Sequence, residues 1–275
     1  MKAMLLNVLA VVAVFAIAAH YFLSAKFKAK VSDLKRRLVE SQELVALPDQ
    51  SLIPALVRTF SEKNGGRVNG PSVVYMRQSA EMRLAPGQQF FHIDGEQISG
   101  TKTLGFVWEA SGRMFGALPL RVVDSFVSQS GWLGAMILGT VPVANAKGPA
   151  IDKGEVLRFL AELAWNPDAL VNTNGLFWNE ADEHTVEVGM DTRDGRAKLN
   201  LLFDLTGDIV GINASDRPRA VGNRNVPTRW VGRFSDYEWN GDYRFPRHGE
   251  IAWVLPTGEF VYWRGDILSV SRAPL

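Results

Sequence analysis

From Pro71 onward the apolar residues change their spacing from about 3.6 to 2, and this restricts the fold more than any other feature. Val74, Met76, Gln78, Ala80, Met82 and Leu84 alternate with Tyr75, Arg77, Ser79, Glu81 and Arg83. Successive strand residues point to opposite faces, so such a run packs one face and leaves the other to solvent. The pattern returns at Leu104, Phe106 and Trp108, at Val186, Val188 and Met190, and at Leu199, Leu201 and Phe203. Turn residues lie between these runs: Asp94-Gly95, Asp194-Gly195, Thr206-Gly207-Asp208, Asn240-Gly241 and Thr257-Gly258. Short glycine turns join antiparallel neighbours, whereas parallel neighbours need an intervening helix.

Few segments are left for helices. One is expected over residues 153–165, with Val156, Leu157, Leu160, Leu163 and Ala164 on one face and Asn166-Pro167 at its end. Another is expected over residues 51–63, capped by Ser51, burying Leu52, Leu56 and Phe60, and stopped by Asn64-Gly65-Gly66. The hairpin around Pro256-Thr257-Gly258 carries large apolar groups on both faces, Phe260 and Tyr262 on one and Val261 and Trp263 on the other. Its partner strand carries Ile251, Trp253 and Leu255. A sheet with one wet face does not read this way, so both faces are expected to be covered. The fold class expected is α+β and mainly antiparallel β. The form expected is a curved meander, a half-barrel or incomplete barrel, with a few covering helices, forming a single domain over residues 47–275.

The N-terminus is of a different kind. Residues 4–23, MLLNVLAVVAVFAIAAHYFL, are apolar except for Asn7 and His20. Twenty helical residues rise about 30 Å, the thickness of a bilayer's hydrocarbon core. Lys26, Lys28, Lys30, Lys35, Arg36 and Arg37 follow, against Lys2 alone before the run. A single transmembrane anchor over residues 1–23 is expected, then a basic juxtamembrane linker over residues 24–46. The charge bias places the domain in the cytoplasm; a periplasmic domain is the alternative. A cleaved signal peptide competes through Ala16-Ile17-Ala18, but the run exceeds the usual signal core. The absence of cysteine excludes a disulfide framework and a lipid-modified cysteine.

The search for chemistry returns candidates rather than a motif. The histidines have no metal-ligand spacing, and neither a phosphate-binding loop nor a nucleophile elbow occurs. No cofactor and no metal are expected. The formal net charge of +1 offers no general attraction to nucleic acid. On the 153–165 helix, Arg158, Glu162 and Trp165 fall on one stripe opposite the apolar face. An ordinary surface ion pair beside a packed Trp is the simpler reading. Asp216-Arg217, with Arg219, Arg224, Arg229 and Arg233 near Trp230 and Phe234, reads first as a solvated arginine-rich loop and second as a site for anionic headgroups.

The segment LGTVPVANAKGPAIDKGEVLRFLAELAWNPDAL, residues 138–170, resembles the signature of an uncharacterised bacterial family, a domain of unknown function often preceded by transmembrane segments. The likeness continues through Arg121-Val-Val-Asp124-Ser125, Asp216-Arg217, Trp230-Val-Gly232-Arg-Phe-Ser-Asp-Tyr237 and Trp253-Val-Leu-Pro-Thr-Gly258-Glu-Phe-Val-Tyr262-Trp263. The chain departs from it in having Arg229 rather than Pro before Trp230, and Asn166 rather than an aromatic. More distantly, the order of helix then meander is similar to the half-barrel of periplasmic lipoprotein carriers. The resemblance implies no reaction.

The function expected is non-catalytic binding of an apolar or amphipathic ligand, a lipid or a lipid-modified protein, beside a membrane. Candidate ligand-binding residues are Trp108, Asp124, Arg158, Glu162, Trp165, Asp216, Arg217, Trp230, Tyr237, Trp253, Tyr262 and Trp263. The alternatives are an enzyme with a carboxylate and arginine pocket, or a scaffold binding another membrane protein.

Overall fold

The computed structural model describes residues 2–43, 45–114, 116–193 and 195–272; the side chains of residues 2–6, 8–13, 15 and 16 lie outside it. Thirteen strands form one sheet in which every neighbour is antiparallel. The first six are β1 (Val73–Met82), β2 (Phe91–Gly100), β3 (Phe106–Met114), β4 (Leu118–Val127), β5 (Ser130–Ile137) and β6 (Val141–Ala146). The remaining seven are β7 (Phe177–Asp182), β8 (Thr185–Thr192), β9 (Gly195–Phe203), β10 (Ile209–Val221), β11 (Arg224–Asn240), β12 (Tyr243–Leu255) and β13 (Gly258–Ser271). Each pairs with its sequence neighbours, except β6 with β7, and β1 pairs with β13, so two meanders join at the centre and leave β6 and β7 as the edges.

Helices cover both faces of this curved sheet. The chain passes from edge β6 to edge β7 through α3 (Pro149–Ala161), a 3₁₀ turn over Glu162–Trp165, and α4 (Pro167–Asn172). Helix α3 contacts β4 and β5 of one meander and β8, β9 and β10 of the other, so the sheet bends around it. Its Val156, Leu157, Phe159 and Leu160 join Phe106, Trp108, Phe126, Val188, Leu199, Leu201 and Ile212 in the main core. The other face of β2, β3 and β4 presents Ile98, Val107, Val123 and Val127, which pack against Val31, Leu34 and Leu38 of α1 (Lys2–Ser41). The neighbours Phe106 and Val107 thus serve different cores, as strand alternation requires.

Helix α1 continues through most of the segment expected as a linker, ending at Ser41, and its second half covers the sheet. Among the described residues no helix is long and apolar enough to cross a membrane. Most of the expected anchor, residues 4–23, has side chains outside the described set.

Four local expectations are corrected. Helix α2 runs over Ala55–Lys63, not from Ser51, because Pro54 separates it from a 3₁₀ turn at Gln50–Leu52 that Asp49 caps through the Ser51 amide. Leu52 is therefore exposed, and Val57, Phe60 and Ser61 are the buried residues. Asp94-Gly95 lies within β2 rather than at a turn. A Cβ on Gly95 would stand 2.7 Å from Trp108 Nε1, so glycine makes room there for the indole. Asp216-Arg217 belongs to no loop, since β10 runs on to Val221 and turns directly into β11. In β13, Tyr262 is an extra residue between the pairs Ile251–Trp263 and Ala252–Val261. This bulge brings Tyr262 and Trp263 to the same cavity, against the strict alternation expected.

Candidate functional site

Between α3 and the concave face lies a cavity of about 320 Å³. Ten of the twelve candidate residues line it: Trp108, Asp124, Arg158, Glu162, Trp165, Arg217, Trp230, Trp253, Tyr262 and Trp263. The other two lie elsewhere. Asp216 pairs with Lys153 at 2.6 Å. Tyr237 donates its hydroxyl to the Ile209 carbonyl at 2.8 Å and packs on Phe60, and burial first, then Asp208, pushes its phenol well above the usual range.

One wall is an ion network. Arg158 Nη1 meets Asp124 Oδ2 at 2.6 Å, and its Nε meets Glu162 Oε1 at 2.8 Å. Gln97 closes the ring, accepting from Arg158 Nη2 at 3.2 Å and donating to Glu162 Oε2 at 2.6 Å. The guanidinium also lies 4.9 Å from the Phe106 ring and 4.8 Å from that of Trp108, whose Nε1 donates to Gln78. Burial opposes the Arg158 charge, but Glu162, Asp124 and Glu155 outweigh it. The expected surface pair is thus enclosed, with Glu162 buried and Arg158 half-buried, because α3 crosses the sheet interior.

Glu155, absent from the candidates, belongs to this wall. It is buried, and neither its Oε2 nor Asp124 Oδ1 has a hydrogen-bond partner among the described residues. Burial, then the Asp124 carboxylate, raises its carboxyl well above the ordinary range against the pull of Arg217 and Arg158. The uncharged acid is the favoured form. Its spacing three residues before Arg158 on one helix was the available signal.

The facing wall is aromatic. Trp165 is seated by an Nε1 bond to the Pro246 carbonyl at 2.9 Å and packs edge-on to Phe234. Trp253 stacks on Tyr262 at 5.8 Å. The Tyr262 hydroxyl accepts from Trp230 Nε1 at 3.1 Å and from Arg217 Nη1 at 3.0 Å. Arg217 lies over the Trp230 ring at 4.1 Å. A bulge in β10 between Ala214 and Arg217 sets this placement. Arg229 and Arg233, which engage Asn213 and Glu259, remain exposed.

His92 and His248 face Asp94 and Asp266 singly, at 3.2 Å and 2.9 Å. Among the described residues no group of three or more His, Asp or Glu is placed to hold a metal ion. The residue pattern has the chemistry of an apolar ligand pocket with a few convergent polar groups.

The fold and cavity define an open, helix-filled antiparallel β domain with an aromatic interior. The chain belongs to a family of unknown function, DUF6544, whose model matches residues 43–265. The resemblance read from the motifs is to this family. None of the curated proteins matches the chain. Among solved structures it is similar to a LolA superfamily protein from Nitrosomonas europaea, at 11% identity and a TM-score of 0.45, covering 80% of this chain and 94% of that one. It is also similar to a putative outer membrane lipoprotein-sorting protein domain from Vibrio parahaemolyticus, at 8% identity and a TM-score of 0.46, covering 78% and 91%.

Proposed function

We propose that the domain binds an apolar or amphipathic ligand, a lipid or the lipid moiety of a modified protein, in the concave cavity. The observation that carries this is the lining: Trp108, Trp165, Trp230, Trp253 and Trp263 surround unfilled volume beside α3. Its size falls at the lower end of ligand pockets, about 300–1,000 Å³. Each methylene buried there adds about 0.8 kcal/mol, so affinity should rise with chain length. Native mass spectrometry of the full chain after gentle extraction tests the reading, followed by titration with fatty acids of increasing length while tryptophan emission is followed. Binding without length dependence, or none, would remove it.

Residues 4–23 serve in this proposal as a membrane tether, with the domain on the cytoplasmic side. The length of the apolar run and the basic cluster after it support that orientation. Side-specific reporters fused to Leu275 test it, and activity of a periplasmic reporter alone would reverse it.

A second reading rests on one observation, the buried Glu155 carboxyl beside Asp124, each with an oxygen that has no hydrogen-bond partner among the described residues; burial and the Asp124 charge push Glu155 towards its uncharged form, which suits proton transfer. If the cavity performs acid catalysis, Glu155→Gln should retain an intact ligand where the wild type holds its cleaved product. Identical ligand masses in both would dismiss catalysis by this acid.

A further inference from the structure

We infer that Arg217 receives an anionic group, a carboxylate or phosphate oxyanion, at the end of the amphiphile that fills the cavity. This rests on the proposed binding function and specifies its ligand. Arg217 is half-buried at the cavity wall, held over Trp230 at 4.1 Å and near Trp253 at 5.5 Å. A guanidinium carries five N–H donors. One of them meets the Tyr262 hydroxyl. No Asp or Glu oxygen lies within 4.0 Å of it among the described residues.

The surrounding acids are committed elsewhere. Asp216, next in the chain, is turned to Lys153. Asp124 and Glu162 are held by Arg158. Glu155, on α3, feels the Arg217 charge, but burial and Asp124 push its carboxyl towards the uncharged form. Arg217 therefore stands in the cavity wall with no carboxylate in ion-pair contact among the described residues. The Tyr262 oxygen already accepts two bonds, so its own hydroxyl proton is left to donate beside the guanidinium. Arginine's planar fork matches two oxygens of a carboxylate or phosphate at once. Apolar rings next to this cation suit a chain ending in an anion better than a neutral lipid or a cationic headgroup.

The test uses the full chain held in an amphipathic polymer, with tryptophan emission as the readout. Dodecanoate, dodecyl phosphate, dodecanol and dodecyltrimethylammonium vary the head at constant chain. Acetate and inorganic phosphate supply the anion without a chain. The two anionic amphiphiles should bind roughly tenfold or more tighter than dodecanol, as a charge-assisted bond in a partly dry site implies. Arg217→Gln should erase that preference, bringing the anionic amphiphiles down to the level of dodecanol, and a circular-dichroism spectrum matching wild type reports that the variant is folded. Tyr262→Phe should reduce the preference in the same direction. Equal binding of dodecanol and dodecanoate by the wild type overturns the headgroup inference and leaves the apolar-ligand reading intact. A preference that survives Arg217→Gln overturns the assignment to this residue. Acetate or phosphate binding as tightly as dodecanoate overturns the amphiphile as its source. Failure of every chain to bind overturns both readings.

Discussion

Two arginines enter one cavity and are treated differently. Arg158, on α3, is met by Asp124, Glu162 and Gln97. Arg217, on β10, is met by a phenol and two indoles. A buried cation whose acids are present is a structural element. One half-buried at a cavity wall with no acid in ion-pair contact is suited to a charge that arrives from outside.

The largest test of that contrast is Arg158→Ala. It strands Asp124 and Glu162 in the interior, and a loss of about 3–5 kcal/mol in urea denaturation is expected. A loss below about 1 kcal/mol, the range of exposed pairs, would contradict the structural role assigned to Arg158.

Replacing the unit together, as Asp124→Leu, Arg158→Met and Glu162→Leu, should behave otherwise. With no charge left unpaired, the triple variant should recover most of that loss, because apolar replacements of buried ion groups are often neutral or stabilising by about 1–4 kcal/mol. A triple variant less stable than Arg158→Ala would show that the network contributes net stability.

Glu155 sharpens the comparison through pH. Its carboxyl is a weaker acid in the folded state, so native protein holds a proton that the unfolded chain releases above the ordinary carboxylate range. The associated stability is present below that range and is lost as pH rises through the folded value. Wild type should weaken as pH rises above the ordinary carboxylate range, and Glu155→Gln should flatten this part of the profile. Denaturation midpoints across a pH series measure it; parallel profiles would show that the fold does not raise the Glu155 carboxyl.

The smallest effect on stability belongs to Arg217→Gln. The change should stay within about 1 kcal/mol in either direction, since the lost cation–aromatic contact opposes the relief of a half-buried unpaired charge. A loss as large as that of Arg158→Ala would make Arg217 a structural residue and erase the contrast.

Much of the architecture was legible. Alternation marked the buried faces of β1, β3, β8 and β9, and most glycine turns fell where residues alternate. The turn at Ser128-Gln129 escaped notice, since two non-glycine residues take positive φ of 53° and 62° there. Asp94-Gly95 misled for the opposite reason: a turn-like pair sits mid-strand because Trp108 needs the space. On the site side, aromatic and charged residue types singled out most of the cavity lining. Glu155 was passed over because a carboxylate on a helix reads as solvent-facing until the helix is known to be enclosed.

By itself the sequence determined a mainly antiparallel, curved β fold with a few covering helices, because strand period and turn chemistry are local properties. It also determined family membership through the motifs of residues 138–170. Tertiary structure decided which residues share the cavity. The β1–β13 pairing joins two meanders distant in sequence and makes β6 and β7 the edges that α3 bridges. The bulges before Arg217 and at Tyr262 each shift the strand register by one residue and redirect the side chains that follow. Whether a charge is solvated, paired or left alone depends on what lies across the sheet, and that information is held in no window of the chain.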